Sequence, residues 1–408
     1  APLQAETTRL LRIVLVSVFF LGLSGLATAL SQALQRFALP AFTTVVFNAG
    51  IVTAALLFGP RFQDVRVLAV GLVIGAALQV ILQIPALRDM RFRFIVDLRH
   101  PVLRHILRLY LPVVLSLVVA SFGVLLDRNL ASRTGASSIS WMRYATTLIQ
   151  FPLGLISAAI STAILPTLSR QATQENGSAG SGDFCDTLAG GLRLVLVLTI
   201  PAAVGLFVLA RPVVALLFQH GDFGPADTDQ TSLALRYYLI GLTFAAVDLP
   251  LVYAFYARQD TWRPAMVGIL GVGFYLVVAL ATVRSLGMIG LILANGAQLA
   301  GHAGVMLWLF QRQVGSLLRR GIGWTLLQCG AASAAMAAGV CAVEWGIGVL
   351  IPAAGIGRWA ATVAAGGIVG ATIYVGLCAL MRVNEIELAK TFLGQLVRRL
   401  RALGRQST

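Results

Sequence analysis

The chain has 408 residues, of which 58% are hydrophobic and only 12% charged, and its mean hydropathy is +0.85. That balance excludes an ordinary soluble domain and points to an all-α polytopic membrane protein. The formal charge of +15 then reads as membrane topology and contact with anionic lipid, and excludes nucleic acid as the partner it serves.

A helix needs about 20 mainly apolar residues to cross the hydrocarbon core, and the pattern predicts about 11 transmembrane helices. The first two, 10–33 and 38–58, flank the short basic turn QRFALPA, and the third covers 66–86. The basic stretch ALRDMRFRFIVDLRHPVLRH, residues 86–105, is expected to join two lobes. Spans at 108–127, 141–166, 188–210 and 233–256 follow, carrying Pro112, Pro152, Pro201 and Pro250. Those prolines suggest kinks, tolerated in a bundle because neighbouring helices meet the freed carbonyls. QATQENGSAGSGD, residues 171–183, reads as a flexible linker. The remaining spans are 264–283, 287–310, 325–350 and 356–381. In the tail, Ile386, Ala389, Phe392, Leu393, Leu396, Leu400 and Leu403 recur at helical spacing opposite a basic face, the pattern of an interfacial amphipathic helix. Three segments result: 1–95, three helices of an N-terminal lobe; 96–315, a six-helix lobe; 316–408, two further helices and the basic tail. If the spans alternate, the tail and the loops holding Arg36, Arg88, Arg258, Arg263, Arg312 and Arg382 form the richer basic side, which the positive-inside rule makes cytoplasmic.

An offset of 224 residues pairs Arg12 with Arg236, Phe20 with Phe244, Ala33 with Ala257, and Pro40-Ala41 with Pro264-Ala265. The first three spans thus repeat as the seventh to ninth, in the same orientation because the offset is an even number of spans. The second copy has three spans before it and the first has none, so the chain is expected to be a fragment or a form that lost three N-terminal helices.

Chemistry-bearing residues are sparse. His100, His105, His220 and His302 are scattered, without H-E-x-x-H, a Walker loop or G-x-S-x-G, so no catalysis, metal or cofactor is expected. The Asp227 to Asp229 D-T-D opens a span and reads as a helix cap. Cys185, Cys329, Cys341 and Cys378 lack C-x-x-C spacing and read as small buried side chains. Gly22, Gly25, Gly154, Gly191 and Gly205 read as close-packing positions. Asp248 lies within a span with no basic residue inside two helical turns. A charge there costs roughly 2.5–3.5 kcal/mol on insertion scales, so it is either a proton-coupling group or a neutral carboxyl bonded to a carbonyl freed by Pro250.

Several segments together carry a family resemblance: SWMRYATTLIQFPLGLISAAISTAILPTLSR, QRFALPAFTTVVFNAG, LPVVLSLVVASFGVLLDRNLAS, IPAAVGLFVLARPVVALLFQHGDFGPADT and FYARQDTWRPA. Taken together in their chain order they resemble the lipid II flippase family (MurJ/MviN), within the multidrug/oligosaccharidyl-lipid/polysaccharide exporter superfamily. The resemblance implies helices 4–14 of a two-lobed 14-helix flippase in the bacterial inner membrane. Its implied activity is the flipping of undecaprenyl-pyrophosphate-linked peptidoglycan precursor from inner to outer leaflet by alternating access. Its implied partners are that precursor, membrane lipids and cell-wall synthesis proteins. A related drug/cation antiporter or polysaccharide-repeat flippase, and an inactive membrane scaffold for cell-wall synthesis, are the alternatives. Terminal helices beyond twelve and the L-P-x-L-S motif favour the first reading.

Residue by residue, the family's arginine on its eighth helix falls at Thr147, and Arg143, one turn earlier, either replaces it or anchors the helix among lipid headgroups. Asp127 matches an acidic position that contributes to a sodium site in some members. The partners there come from the helix at 264–283, which here has neither Asn nor Asp, so an ion pair with Arg133 or Arg143 is the other reading. Asn48 matches a frequent family asparagine and reads as interhelical glue. Replacing Asp248 by Asn in the full-length protein is expected to lower transport; rates unchanged across a pH series would exclude it as a coupling group.

Overall fold

The computed structural model describes residues 2–34, 36, 38–62, 64–88, 101–135, 137–174, 181–313, 317–351 and 355–383. Among them there are helices and no strand. The chain divides into two compact units, Ala1–Leu98 and Arg99–Thr408. Ten described helices are long and apolar enough to cross a membrane.

The first unit holds α1 (Pro2–Ala33), α2 (Ala38–Phe62) and α3 (Arg66–Gln83), with a 3₁₀ turn at Ile84–Leu87. α3 packs along both α1 and α2, which scarcely touch each other. Between α2 and α3 the contact is backbone against backbone. A Cβ on Gly75 would lie 2.5 Å from the Phe47 carbonyl oxygen, one on Gly50 2.6 Å from the Gly75 Cα, and one on Gly71 2.7 Å from the Ala54 Cβ. Without a hydrophobic drive between helices in lipid, such close packing is what holds them. α1 and α3 are joined by a buried amide instead. Gln83 donates from Nε2 to the Ser24 hydroxyl at 2.8 Å and accepts from Thr28 at 2.9 Å.

The second unit contains α4 (Pro101–Ala131), α5 (Ser138–Ala163), α6 (Leu165–Gln174), α7 (Ser181–Val208), α8 (Ala210–Phe218), α9 (Pro225–Ala257), α10 (Trp262–Leu286), α11 (Met288–Gln313), α12 (Gly323–Leu350) and α13 (Ile356–Leu380). α9 lies at its centre, packed by α5, α7 and α11, while α4 lies against α10 and the α12–α13 pair covers α7. α11 packs along α9 and α10, which scarcely touch, so α9 to α11 repeat the arrangement of α1 to α3.

Local signals set the helix ends. α9 begins with Gly224 extended and Pro225 at the first turn, and the Asp227 carboxylate accepts the Gly224 N–H at 3.0 Å. Asp227 therefore caps the helix, and it also accepts the Trp141 indole N–H at 2.8 Å. Asp229 pairs with Arg211 at 2.7 Å, tying α8 to α9. Gly287, at φ +56°, makes the reversal between α10 and α11, a conformation that glycine adopts without Cβ strain.

Several expectations shift. The span at 141–166 begins three residues earlier, as the 26-residue α5, about 39 Å long. It ends at Ala163, and Pro166 starts α6 instead of extending it. The expected linker is shorter at both ends, since 171–174 continue α6 and 181–183 open α7. Much of the stretch 86–105 and the whole amphipathic tail lie outside the described residues. Of the five glycines read as close-packing, only Gly191 meets a tight neighbour, Ile164 at 2.7 Å; around Gly22, Gly25 and Gly154 the space is open, and Gly205 has an ordinary 3.7 Å contact with Met336. Cys185, Cys329 and Cys378 are buried free thiols, and Cys341 is exposed.

Gly75→Ala should cost about 1–3 kcal/mol through displacement of the Phe47 carbonyl, read as lowered resistance to denaturant in detergent. Gly22→Ala, in open space, should stay within about 0.5 kcal/mol of the parent.

Candidate functional site

Two features of the second unit have the chemistry of a transport path, one where α4, α9, α10 and α11 pack and one where α7, α12 and α13 pack. The first is a polar seam on α11. Asn295, Gln298 and His302 follow one another at spacings of three and four, which places them on one helical face. α10 meets that face with glycines. A Cβ at Gly271 would stand 3.5 Å from the Gln298 Cγ and 3.8 Å from the His302 Cδ2, and one at Gly268 3.9 Å from the His302 Nε2. The missing side chains let polar groups lie against the α10 backbone.

At one end of the seam, Asp127 of α4, Tyr238 of α9 and Tyr275 of α10 join Asn295 and Gln298 around a cavity of about 200 Å³. The Tyr275 hydroxyl donates to the Asp127 carboxylate at 2.6 Å. Neither expected arginine is its partner. Asp127 faces α10, and Arg133 lies beyond the end of α4. At the other end, Asp248 of α9 meets His302 of α11, with Oδ1 2.7 Å from Nδ1. These side chains are 17% and 16% exposed respectively. The partner anticipated for Asp248, a carbonyl freed by Pro250, is thus replaced by an imidazole from a helix 54 positions away.

The other predicted residues do not join the seam. Arg143 and Thr147 are exposed on α5, one turn apart, with Gln150 continuing the stripe. The Thr147 hydroxyl donates to the Arg143 carbonyl at 2.9 Å, so the threonine is satisfied by its own helix. Asn48, in the first unit, is exposed and donates to the Thr44 carbonyl of its own helix at 2.8 Å. It is therefore not glue between helices. Among the described residues, no three of His, Cys, Asp and Glu come together as a metal-binding group.

The second feature is an apolar groove of about 440 Å³ between α7, α12 and α13. Pro201, Gly205 and Leu209 line one wall, Met336 and Val340 another, and Gly366, Gly367 and Gly370 the third. Tyr374 also borders it, but its hydroxyl turns away to the Val197 carbonyl at 2.8 Å and is buried. The groove is thereby left with almost no hydrogen-bonding capacity.

Comparison with known proteins decides the family. The model of the family described as lipid II flippase MurJ matches residues 3–353. The chain belongs to that family. Among similar curated proteins, the probable lipid II flippase MurJ of Vibrio cholerae is 34% identical over 70% of this chain and 54% of its own length. The lipid II flippase MurJ of Burkholderia cenocepacia is 32% identical over 72% of this chain and 57% of its own length. The chain spans about half the length of these curated relatives. Among solved structures, a lipid II flippase MurJ in an inward closed conformation superposes with a TM-score of 0.72 at 20% identity, covering 93% of this chain and 75% of that one. A Vibrio cholerae MATE transporter superposes with a TM-score of 0.57 at 14% identity, covering 74% and 68%. Both structures show a shared fold. With ten apolar helices among its described residues, the chain is a multi-pass protein of the bacterial inner membrane.

His302, Tyr275, Asn295 and Gln298 were missed by residue-level reading. A signal existed for three of them, since N-x-x-Q-x-x-x-H in an apolar span marks a single polar face. Tyr275 had none, because an aromatic residue in a membrane helix looks like any core residue. Tyr275→Phe should cost about 1.5–3 kcal/mol by removing a hydrogen bond to a charged acceptor and should shift the Asp127 carboxylate stretch in infrared difference spectra.

Proposed function

We propose that this chain takes part in moving an undecaprenyl-pyrophosphate-linked peptidoglycan precursor, lipid II, from the inner to the outer leaflet. The observation that carries the reading is the apolar groove along α7, α12 and α13. A pyrophosphate and sugar-peptide head is too polar to cross hydrocarbon unaided, whereas its prenyl tail is at home there. A groove with no polar demands, kept open by Gly366, Gly367 and Gly370, suits a chain that slides without being gripped.

The head needs the opposite chemistry. Arg143 presents an exposed guanidinium on α5, followed by Thr147 and Gln150 on the same stripe. A guanidinium fork grips phosphate oxygens in two places at once. Alternating access then exposes the head-binding surface to one leaflet at a time. Asp127, Asp248 and Asn48 remain candidates for the transport path, the first two because the seam holds carboxylates inside the span. The protein acts as a transporter without enzymatic chemistry or cofactor, and its C-terminus is cytoplasmic by its basic loops. Membrane lipids and cell-wall synthesis proteins are its proposed further partners.

Photoreactive lipid II bearing a diazirine on its prenyl tail tests this on the chain in nanodiscs. Labelled peptides should map to α7, α12 and α13, and Gly367→Trp should reduce labelling several-fold by filling the groove. Arg143→Gln should weaken binding about tenfold, equivalent to 1.4 kcal/mol. Labelling and affinity unchanged in both variants would reject the reading.

A further inference from the structure

At one pair of equivalent positions the two repeats exchange a neutral residue for an ionisable one. Position 24 plus the offset of 224 is 248. In the first unit Ser24 of α1 receives the Gln83 amide of α3 at 2.8 Å. In the second, Asp248 of α9 meets His302 of α11 at 2.7 Å. Both contacts join the first helix of a triple to its third. A neutral pair is sufficient to do so in α1 and α3, so packing alone does not call for a carboxylate and an imidazole.

The pair sits well inside the bilayer span. Asp248 lies nine residues before Ala257, and His302 ten before Arg312, depths of about 13 and 15 Å from helix ends on the same side. With Asp248 ionised, the His302 Nδ1 carries the proton and donates it, which leaves the Nε2 lone pair free. A Cβ on Gly268 would stand 3.9 Å from that nitrogen and 4.0 Å from the Ser116 Cβ of α4, so the missing side chain leaves room beside it.

We propose that Asp248 and His302 form a proton-binding site whose loading accompanies the transport cycle. A proton from water adds to the Nε2 lone pair, an N–H bond forms, and the anionic pair becomes a neutral imidazolium–carboxylate couple. Release returns the same proton to water. The loaded state is the better tolerated of the two in a low-dielectric interior, because an unbalanced charge there is costly. Pro250 lies two residues on and leaves the Ala246 carbonyl without its helical donor. The turn that carries Asp248 therefore lacks one helical hydrogen bond, and a change in the pair's charge can there alter how α9 meets α11.

Groups on the neighbouring helices are engaged elsewhere. α4 and α10 contribute Asp127 and Tyr275, bonded to each other. The Gly268–Gly271 face that α10 turns to the pair has no charge. From α7, Arg193 donates to the Arg320 carbonyl, and Asp186 pairs with Arg320. From α8, Arg211 holds Asp229. α5 supplies Arg143, exposed, and Tyr144, packed on Phe218 and Phe223. α6 supplies Arg170, exposed. On α11 itself, Arg312 stacks on Trp308. On α9, Tyr253 and Tyr256 follow Asp248 by five and eight residues. Among the described residues, the ionic partner of Asp248 is His302.

The inference rests on the transporter reading only for its purpose, and its test needs no transport. Nitrogen-15 histidine spectra of the whole chain in nanodiscs, assigned with His302→Gln, report the protonation of each ring nitrogen. His302 should pass from singly to doubly protonated between pH 9 and pH 5. In Asp248→Asn the doubly protonated fraction at pH 6 should fall at least about tenfold. The double variant Asp248→Ser with His302→Gln, a neutral serine–glutamine pair like that of α1 and α3 in kind, should keep the parent's thermal stability and lose proton uptake measured with a pH indicator. A His302 in one protonation state across the range, or one indifferent to Asp248, would overturn the proposal while leaving lipid II binding untouched. Failure of lipid II to label the groove would reject the transporter reading and leave this titration standing.

Discussion

Hydrocarbon supplies no hydrogen bonds, and this single deficiency organises the protein. Every polar group placed between the ends of these helices must be met by its own helix or by a neighbour. Thr147 and Asn48 take the first course by donating to carbonyls one turn back. Gln83, Asp127 and Asp248 take the second, and each such partner pins one helix to another at a defined height. The tight glycine contacts between α2 and α3 do the same through van der Waals contact. Both devices are needed because lipid tails are as apolar as leucine and give helices no reason to associate.

The third helix of each triple is where these contacts gather. Among the described residues, α3 and α11 each pack on two helices that scarcely touch one another, so each is the main bridge between its neighbours. A change on such a bridge is felt by both sides. That makes the α11 stripe of Asn295, Gln298 and His302 the place in the second unit where chemistry and packing are most closely coupled. The groove on α7, α12 and α13 has the converse design, since Tyr374 spends its hydroxyl on a buried carbonyl and leaves the surface indifferent to what slides along it.

Much of the fold was legible beforehand because transmembrane helices obey a rule of length and apolarity that needs no tertiary information. The helical spans, the Asp227 cap and the internal repeat all follow from residue type and spacing. Helix ends were less legible where a proline restarts a helix, as at Pro166, or where a polar linker continues one, as at 171–174. Glycine was the poorest guide. Gly22 and Gly25 look like packing positions in the same way as Gly71 and Gly75, yet only the latter pair meets another backbone, and which face of a uniformly apolar helix turns inward is not encoded by apolarity.

The candidate site shows the same division. Asp127 and Asp248 were conspicuous because carboxylates in apolar spans are expensive, and that argument is local. Their partners were not, since Tyr275 and His302 lie 148 and 54 positions away along the chain. By itself, the sequence determined that this is a helical membrane protein, how its spans repeat, and that two acids within the spans required partners. Only the tertiary structure decided which groups answer them, because a hydrogen bond is settled by the angle and height at which two helices meet, and those follow from the packing of all their neighbours together.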